Sequence, residues 1–372
     1  MKPAEINKPV LYGAISLLGL ILGLSLILSN EPPTANTKSS TTSLSHWQPI
    51  GHFETARRAF AASTNDKHVY VIGGIDTHDR YLSSVEFAPI LADGTLGEWK
   101  QTSSLNEGRF YLSSVIIDNY IYAIGGANGP LGGDNIPSAT VERAKILHNG
   151  ELGPWEFQAY MTSPRRGLQS VSYSNHIYAL GGYNGVFMKT VERAVVDRNG
   201  DIINWTEEDK SFVVDRYIHS AAIHNNRIYL IAGHVENQDI LSYSDVESAI
   251  IQNDGSLSPW KIETTKLNTP RFIAAAASTG DFLYIAGGHD GANRLNSVEY
   301  APIHHNGSVG TWTKNLSLKT KRSATKLLAS GNNLYIFGGG GGENVLNTVE
   351  RSQRLPNGKL IAIARNQQPT ER

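Results

Sequence analysis

"YIYAIGG", Tyr120 to Gly126, is the stretch that decides the fold, because its pattern recurs along the chain. The residues before the glycines are alternating and β-forming, as in a half-buried strand. The glycine pair returns at intervals of 51 to 56 residues, with one copy reading Ala-Gly: Gly73-Gly74, Gly125-Gly126, Gly181-Gly182, Ala232-Gly233, Gly287-Gly288 and Gly338-Gly339. Self-similarity at a period near 50 residues is typical of propeller blades and solenoid repeats.

An arginine and a tyrosine recur at fixed distances before the glycine pair in all six copies. An arginine stands sixteen residues before it: Arg57, Arg109, Arg165, Arg216, Arg271 and Arg322. A tyrosine stands three before it: Tyr70, Tyr122, Tyr178, Tyr229, Tyr284 and Tyr335. A Val-Glu dipeptide and an Asp-Gly or Asn-Gly turn follow, and five copies then carry a tryptophan: Trp99, Trp155, Trp205, Trp260 and Trp312. Six copies of such a pattern are not accidental.

Each repeat reads as four short strands. The turns between the third and fourth strands are Asp-Gly or Asn-Gly, which favour hairpins because both central residues accept positive φ. The sequence therefore predicts an all-β fold, a six-bladed β-propeller of four-stranded antiparallel blades. The glycine pair, the tyrosine, the arginine and the tryptophan together resemble the kelch family, over Trp47 to about Ile363. That resemblance implies the propeller fold and is nearly silent about activity.

Closure of the ring can be predicted from the tryptophans. The last repeat has Ile363 where a tryptophan is expected, whereas Trp47 lies ten residues before Arg57, the spacing of Trp99 from Arg109. The segment "HWQPI" is therefore predicted to supply the outer strand of blade 6, which removes an open strand edge.

The N-terminal region predicts a membrane anchor. Val10 to Ser29 is uncharged and mostly apolar, and it is long enough to span a bilayer as one helix. Lys2 and Lys8 precede it, so the positive-inside rule favours an uncleaved signal anchor with a cytoplasmic tail. The alternative is a cleaved signal peptide. We expect a single-pass membrane protein whose propeller lies in the periplasm or outside the cell.

This organisation gives five segments. Residues 1–9 form the cytoplasmic tail, 10–29 the transmembrane segment, 30–45 an unstructured linker rich in Ser, Thr and Pro, 46–364 the propeller and 365–372 a C-terminal tail. A formal net charge of −1 without a basic block argues against nucleic-acid binding. The absence of cysteine excludes disulfides, thiol catalysis and zinc–thiolate sites. We expect no cofactor and no metal.

Two motifs suggest chemistry but have simpler interpretations. The run Gly338 to Gly342 is not a phosphate loop, because no Lys-Ser/Thr follows and the next segment is a predicted strand. Asp197 to Glu208 nearly spells a calcium loop, but Ile202 stands where glycine is required, which favours a hairpin turn. The repeated arginines and glutamates are either a ring of binding charges or one structural ion pair per blade or blade interface, and we favour the ion pairs; the repeated Tyr and Trp are interpreted as core.

Function is expected where the repeats differ. In kelch relatives, ligands usually contact the loop after the glycine pair and the residues just after the arginine, on one face around the channel. In this sequence the candidate ligand-binding residues of the loop set are Asp76, His78, Asn128, Tyr183, Asn184, His234, Glu236, His289, Asp290 and Asn293. Those of the second set are Arg58, Tyr111, Arg166 and Tyr217.

The leading hypothesis is a membrane-anchored module that binds a protein or a glycan through this face. Aromatic, amide and carboxylate side chains around one opening suit either ligand. The first alternative is a sugar-modifying enzyme, a mutarotase or epimerase, which would need an acid–base pair at the opening. A carboxylate with a raised pKa there would favour the enzyme. A purely structural envelope protein is the other alternative.

Overall fold

The fold was obtained as a computed structural model, which describes residues 45–129, 135–237 and 240–363. In these residues every regular element is a β-strand, so the all-β prediction is confirmed. No helix among them is long and apolar enough to cross a membrane, and the predicted anchor, residues 10–29, lies outside them.

The strands of the first half form three antiparallel blades, preceded by β1 (Gln48–His52). Blade 1 contains β2 (Ala61–Thr64), β3 (His68–Ile72), β4 (Val85–Pro89) and β5 (Lys100–Thr102). Blade 2 contains β6 (Ser113–Ile117), β7 (Tyr120–Ile124), β10 (Val141–Ile146) and β11 (Leu152–Phe157), with a small hairpin of β8 (Ala127–Asn128) and β9 (Ile136–Pro137). Blade 3 contains β12 (Gln169–Tyr173), β13 (His176–Tyr183), β14 (Phe187–Val196) and β15 (Ile202–Glu207).

The second half repeats this order. Blade 4 contains β16 (Ser220–His224), β17 (Arg227–Ile231), β20 (Val246–Ile250) and β21 (Lys261–Ile262), with a small hairpin of β18 (His234–Asn237) and β19 (Ile240–Ser242). Blade 5 contains β22 (Ala275–Thr279), β23 (Phe282–Ala286), β24 (Val298–Pro302) and β25 (Thr313–Lys314). Blade 6 contains β26 (Lys326–Ser330), β27 (Asn333–Gly340), β28 (Val345–Arg354) and β29 (Leu360–Ile361).

Both ends of the propeller sequence meet in blade 6. Strand β1 pairs antiparallel with one part of β28, from Gln48 opposite Arg351 to His52 opposite Thr348. Strand β29 pairs with the following part of β28, at Gln353 and Arg354. The outer strand of blade 6 is thus composed of two segments from opposite ends of the chain. Trp47 is fully buried, and its indole N–H donates to the carbonyl of Leu316.

The glycine pair follows the end of the second strand in blades 1, 2 and 5, as the Ala-Gly pair does in blade 4, whereas in blades 3 and 6 the strand continues through the pair with a shift in register. Gly125 and Gly126 have φ of 58° and 95°, and the second glycine lies so close to the next segment that a Cβ would be 2.8 Å from the Phe110 carbonyl. Positive φ and this close approach both favour glycine. Ala232, in the one variant pair, adopts a φ of 60°.

Each repeat arginine forms a buried ion pair with the glutamate of its own blade, as the structural interpretation predicted. The pairs are Arg57–Glu86, Arg109–Glu142, Arg165–Glu192, Arg216–Glu247, Arg271–Glu299 and Arg322–Glu350. In blade 3, Arg165 also donates to the carbonyl of Gly181 at 3.0 Å, while Glu192 accepts the backbone N–H groups of Thr162 and Ser163. This network, which we call the arginine clamp, fixes the segment that leads into each inner strand.

Each repeat tyrosine connects its blade to the next one. Its hydroxyl donates to the carbonyl of the hairpin-turn glycine of the following blade, at 2.6 to 2.8 Å; the acceptors are, in blade order, Gly150, Gly200, Gly255, Gly307, Gly358 and Gly94. The last bond, from Tyr335 of blade 6 to Gly94 of blade 1, completes a circle of six.

Candidate binding face

The residue two places after each repeat arginine forms the floor of one face. In all six blades it has a positive φ, between 44° and 62°, and its N–H donates at 2.7 to 3.1 Å to the carbonyl of the equivalent residue in the preceding blade. The six bonds form a closed circle, which we call the mouth ring; its members are Ala59, Tyr111, Gly167, Ile218, Ile273 and Ala324. Positive φ is unusual for isoleucine, so the fold holds Ile218 and Ile273 in a strained conformation.

The walls of this face come from the two sets of residues that the sequence assigns to it. The residue after each arginine pairs, through an antiparallel bridge, with the residue after the glycine pair. The six pairs are Arg58–Ile75, Phe110–Ala127, Arg166–Tyr183, Tyr217–His234, Phe272–His289 and Ser323–Gly340. The two sets therefore lie side by side around the mouth ring.

Rings follow one another around most of this face. Neighbouring centroids lie 4.8 to 6.1 Å apart, distances at which aromatic side chains attract one another. We call this series the aromatic arc; its members are Tyr81, Phe110, Tyr111, Tyr183, Phe187, Tyr217, His234, Phe272 and His289. It spans blades 1 to 5.

Arg166 lies at the middle of the arc. Its guanidinium stacks 4.8 Å from the ring centre of Tyr183 and 5.8 Å from that of Tyr217, and it donates a hydrogen bond to Asn135. Tyr217 also covers Gly167 so closely that a Cβ there would lie 2.1 Å from its ring. The glycine of blade 3 therefore makes room for Tyr217.

Burial changes the acid–base properties of the arc. Desolvation raises the pKa of Tyr111 and of Tyr217, while the nearby charge of Arg166 partly opposes it. Both phenols are therefore neutral at physiological pH.

The three predicted residues of blade 1 have different environments. Asp76 is buried; desolvation raises its pKa, but hydrogen bonds from the backbone of Arg80 and His78 and from the Arg80 side chain outweigh this, and the pKa is lowered. Its carboxylate thus holds its own loop together. The His78 side chain is 75 % exposed. Arg58 pairs with Asp79 at 2.8 Å.

The predicted amides lie in the loops of blades 2 and 3. Asn128 belongs to β8 and pairs with Ile136 of β9. Asn184 is exposed at the tip between β13 and β14, and its backbone N–H donates to the carbonyl of Val186.

The remaining predicted residues lie in blades 4 and 5. His234 and His289 are members of the aromatic arc. The backbone N–H of Asn293 holds the pKa of Asp290 below its usual range, and Ala292 donates to the same carboxylate. Asn293 itself is exposed. Glu236 belongs to strand β18, and its side chain lies outside the described part of the molecule. No group of three metal-ligating side chains is found among the described residues.

Blade 6 differs from the other blades at this face. The run of five glycines is largely strand, since β27 continues to Gly340, opposite Val345. Gly340 therefore belongs to a strand. Gly340 pairs with Ser323, whose hydroxyl accepts from Arg294 at 3.1 Å. At this point the wall consists of the Gly340 backbone with the Arg294 guanidinium beside it.

Several members of the arc were not predicted. Phe110 and Phe272 directly follow repeat arginines, so the rule that selected Arg58 and Tyr217 could have found them. Tyr81 and Phe187 lie between the glycine pair and the Val-Glu dipeptide, a segment whose length differs between repeats, so no repeated spacing marks them. Their position in the aromatic arc follows only from the arrangement of the six blades in a closed ring.

Comparison with curated proteins finds kelch proteins. The chain is 27 % identical over 271 residues to alpha-scruin of Limulus polyphemus, which covers 70 % of this chain and 27 % of scruin. It is 22 % identical over 277 residues to the Kelch repeat and BTB domain-containing protein 1 of horsepox virus, covering 74 % of this chain and 45 % of that protein. This chain is a kelch-repeat propeller.

The other comparisons bear on the fold. The solved structure of YjhT superimposes on the kelch propeller with a TM-score of 0.67 at 16 % identity, covering 85 % of this chain and 99 % of YjhT, a likeness of fold alone. No protein-family model matches the chain. The matches also span less than half the length of the curated relatives just named.

Proposed function

We propose that the face above the mouth ring binds an extended segment of a partner protein. Kelch propellers are commonly protein-binding modules. The single observation that carries the proposal is the aromatic arc, in which half-buried rings and the stacked Arg166 surround a floor of backbone. Tyrosine and arginine are enriched among the residues that contribute most to protein interfaces.

The shape of the face favours a segment over a flat partner surface. The rings form its wall on five blades, whereas Ser323 and Gly340 of blade 6 bring backbone to the rim. Apolar side chains of a partner can pack on the rings, while its polar groups reach Arg58 or Arg166. Tyr183 and Tyr217 offer ring faces and hydroxyl groups together, which suits mixed apolar and polar contacts.

A binding role is better supported than a sugar-modifying enzyme. An acid–base mechanism at this face would need a carboxylate with a raised pKa. Among the described carboxylates of the predicted set, Asp76 and Asp290 both have lowered pKa values, because backbone N–H groups donate to them. They are suited to organising loops rather than to exchanging protons.

The test is a screen of the purified full-length chain against a peptide array and a glycan array, followed by measurement of Kd for each hit. The double variant Tyr183→Ala/His289→Ala removes rings from both sides of the face and should weaken peptide binding at least about tenfold. Tyr160→Ala, which removes a tyrosine that is 56 % exposed outside the arc, is the matched control and should leave Kd unchanged. Glycan hits alone, or equal Kd values for the three proteins, would contradict the proposal.

We further propose that residues 10–29 anchor the propeller to a membrane and place it outside the cytoplasm. The support is the uncharged apolar sequence and the lysines that precede it. A reporter enzyme that is active only outside the cytoplasm, fused after residue 372, should be active. Activity of a cytoplasm-specific reporter at that position would refute the orientation.

A further inference from the structure

The channel of the propeller contains a lysine that the proposed binding face does not use. The inner strands β2, β6, β12, β16, β22 and β26 surround a channel of about 300 Å³, lined mainly by alanine, serine and branched aliphatic residues. Lys326 is the first residue of β26 and lines this channel. It also lines a cavity of about 30 Å³ directly beneath the mouth ring. Its ammonium group therefore lies at the ring end of the channel.

Lys326 has little to stabilise its charge. Its Nζ atom donates to Oε1 of Gln169, in the blade diametrically opposite, over a long 3.5 Å. Among the described residues, no carboxylate pairs with it, and neither the channel nor the small cavity is lined by Asp or Glu. An ammonium group has three N–H donors, and buried charges are normally paired. The lining of the channel therefore supplies no carboxylate partner for the Lys326 ammonium.

The other polar groups of the channel are largely engaged in joining blades. Ser63 shares a hydrogen bond with Ser114 of blade 2 at 2.7 Å, and Ser170 donates to Ser113 at 2.7 Å. Ser278 of blade 5 donates to the carbonyl of Ile223 in blade 4. Lys326 and the amide of Gln169 are consequently the polar groups best placed to bind a small ligand in the channel.

We propose that the ring end of the channel binds a small oxyanion, either an inorganic oxyanion or a carboxylate, which contacts both the Lys326 ammonium and the Gln169 amide. Charge-assisted hydrogen bonds from the ammonium and from the amide N–H groups would replace the hydration of the anion. The channel of about 300 Å³ has room for such a molecule.

The titratable groups that line the two spaces are Lys326, His219 and Tyr111. Burial, followed by the charges of Arg216 and Lys326, lowers the pKa of His219 to about 3, so His219 is neutral at physiological pH. Burial raises the pKa of Tyr111, which is also neutral. Burial lowers the pKa of Lys326 to about 8. Anion binding should therefore depend on the Lys326 proton and weaken about tenfold per pH unit above 8.

The experiment is calorimetric titration of the purified full-length chain with sodium phosphate and, separately, sodium acetate, at constant ionic strength set with sodium chloride. We expect saturable binding of at least one of them near pH 7, which also distinguishes an inorganic oxyanion from a carboxylate. Lys326→Met, which keeps the length of the side chain, should weaken this binding at least about tenfold. Lys321→Met, at an exposed lysine of the same blade, is the matched control and should bind as the wild type does.

Three results would overturn the proposal: no saturable binding of either anion, equal binding by wild type and Lys326→Met, or binding that is unchanged between pH 7 and pH 10. Should Lys326→Met fail to fold, Gln169→Leu replaces it, and unchanged affinity in that variant together with a flat pH dependence would contradict the site. Loss of peptide binding at the mouth face is not expected in either variant.

Discussion

The arginine of each repeat is a buried cation held by the glutamate of its own blade and by backbone carbonyls, and in blade 4 Asp245 also pairs with Arg216 at 2.9 Å. In blade 3, Arg165 forms an ion pair with Glu192 alone among the described side chains. In blade 2, Arg109 pairs with Glu142 and also lies 3.5 Å from Glu107, which is 42 % exposed. The repeated spacing made these pairs predictable, whereas the second acid of blade 2 has no repeated counterpart.

This difference predicts unequal effects of the same substitution. Glu192→Gln should lower the free energy of unfolding by about 3–5 kcal/mol, because it leaves a buried arginine without a charge partner. Glu142→Gln should lower the free energy of unfolding by less, because the Glu107 carboxylate still compensates the charge of Arg109. Thermal or denaturant unfolding measures both, with Glu151→Gln, at an exposed position, as the control. A cost for Glu142→Gln equal to or greater than that for Glu192→Gln would contradict this account.

At the scale of elements, the sequence predicted the blades better than it predicted their loops. The first two strands of each blade start at fixed spacings from the arginine, and the last two are marked by the Val-Glu dipeptide and the tryptophan, so their order and pairing could be predicted from six copies. The hairpins β8–β9 and β18–β19, and the long strands β13, β14, β27 and β28, lie where loop lengths differ between repeats. Single loops carry no repeated signal, and backbone pairing there depends on neighbours from other blades.

The strand β1 supplies a test of ring closure. Trp47→Ala removes a fully buried indole and its hydrogen bond to Leu316, which should lower the free energy of unfolding by about 3–5 kcal/mol. Because β1 is joined to the propeller at one end only, its detachment should expose residues 48–52 to proteases.

Trp155→Ala is the matched control for this variant. Trp155 is also buried, and its indole N–H donates to the carbonyl of Ser103. Its strand, however, is connected at both ends to other strands of the propeller. Its replacement should destabilise the protein without early cleavage near residue 50. Equal proteolysis patterns for the two variants, resolved by mass spectrometry, would argue against a role of β1 in closure.

For the whole molecule, ring closure determines which side chains meet. Aligned repeats show that Lys326 stands where the other blades carry Ala61, Ser113, Gln169, Ser220 and Ala275, so its difference was visible in the sequence. The position of Lys326 opposite Gln169 could not be predicted from the sequence, because the two residues are 157 residues apart and only the closed ring brings them together. The aromatic arc is likewise distributed over five blades, so predictions made from one repeat at a time found only some of its members.

The channel lysine should also affect the stability of the whole propeller in a pH-dependent way. Burial lowers the pKa of Lys326 from 10.5 to about 8, so at pH 7 the folded state holds a charge that the unfolded state solvates better. Without an oxyanion, Lys326→Met should therefore raise the free energy of unfolding at pH 7, by roughly 1–3 kcal/mol. Between pH 8 and 10.5 the unfolded wild type binds more protons than the folded one, so the free energy of unfolding of the wild type rises with pH. The excess stability of Lys326→Met over the wild type therefore shrinks across this range. Denaturant unfolding of both proteins at pH 7 and pH 10 measures this difference. A constant difference across that range would show that Lys326 keeps its ordinary pKa in the channel.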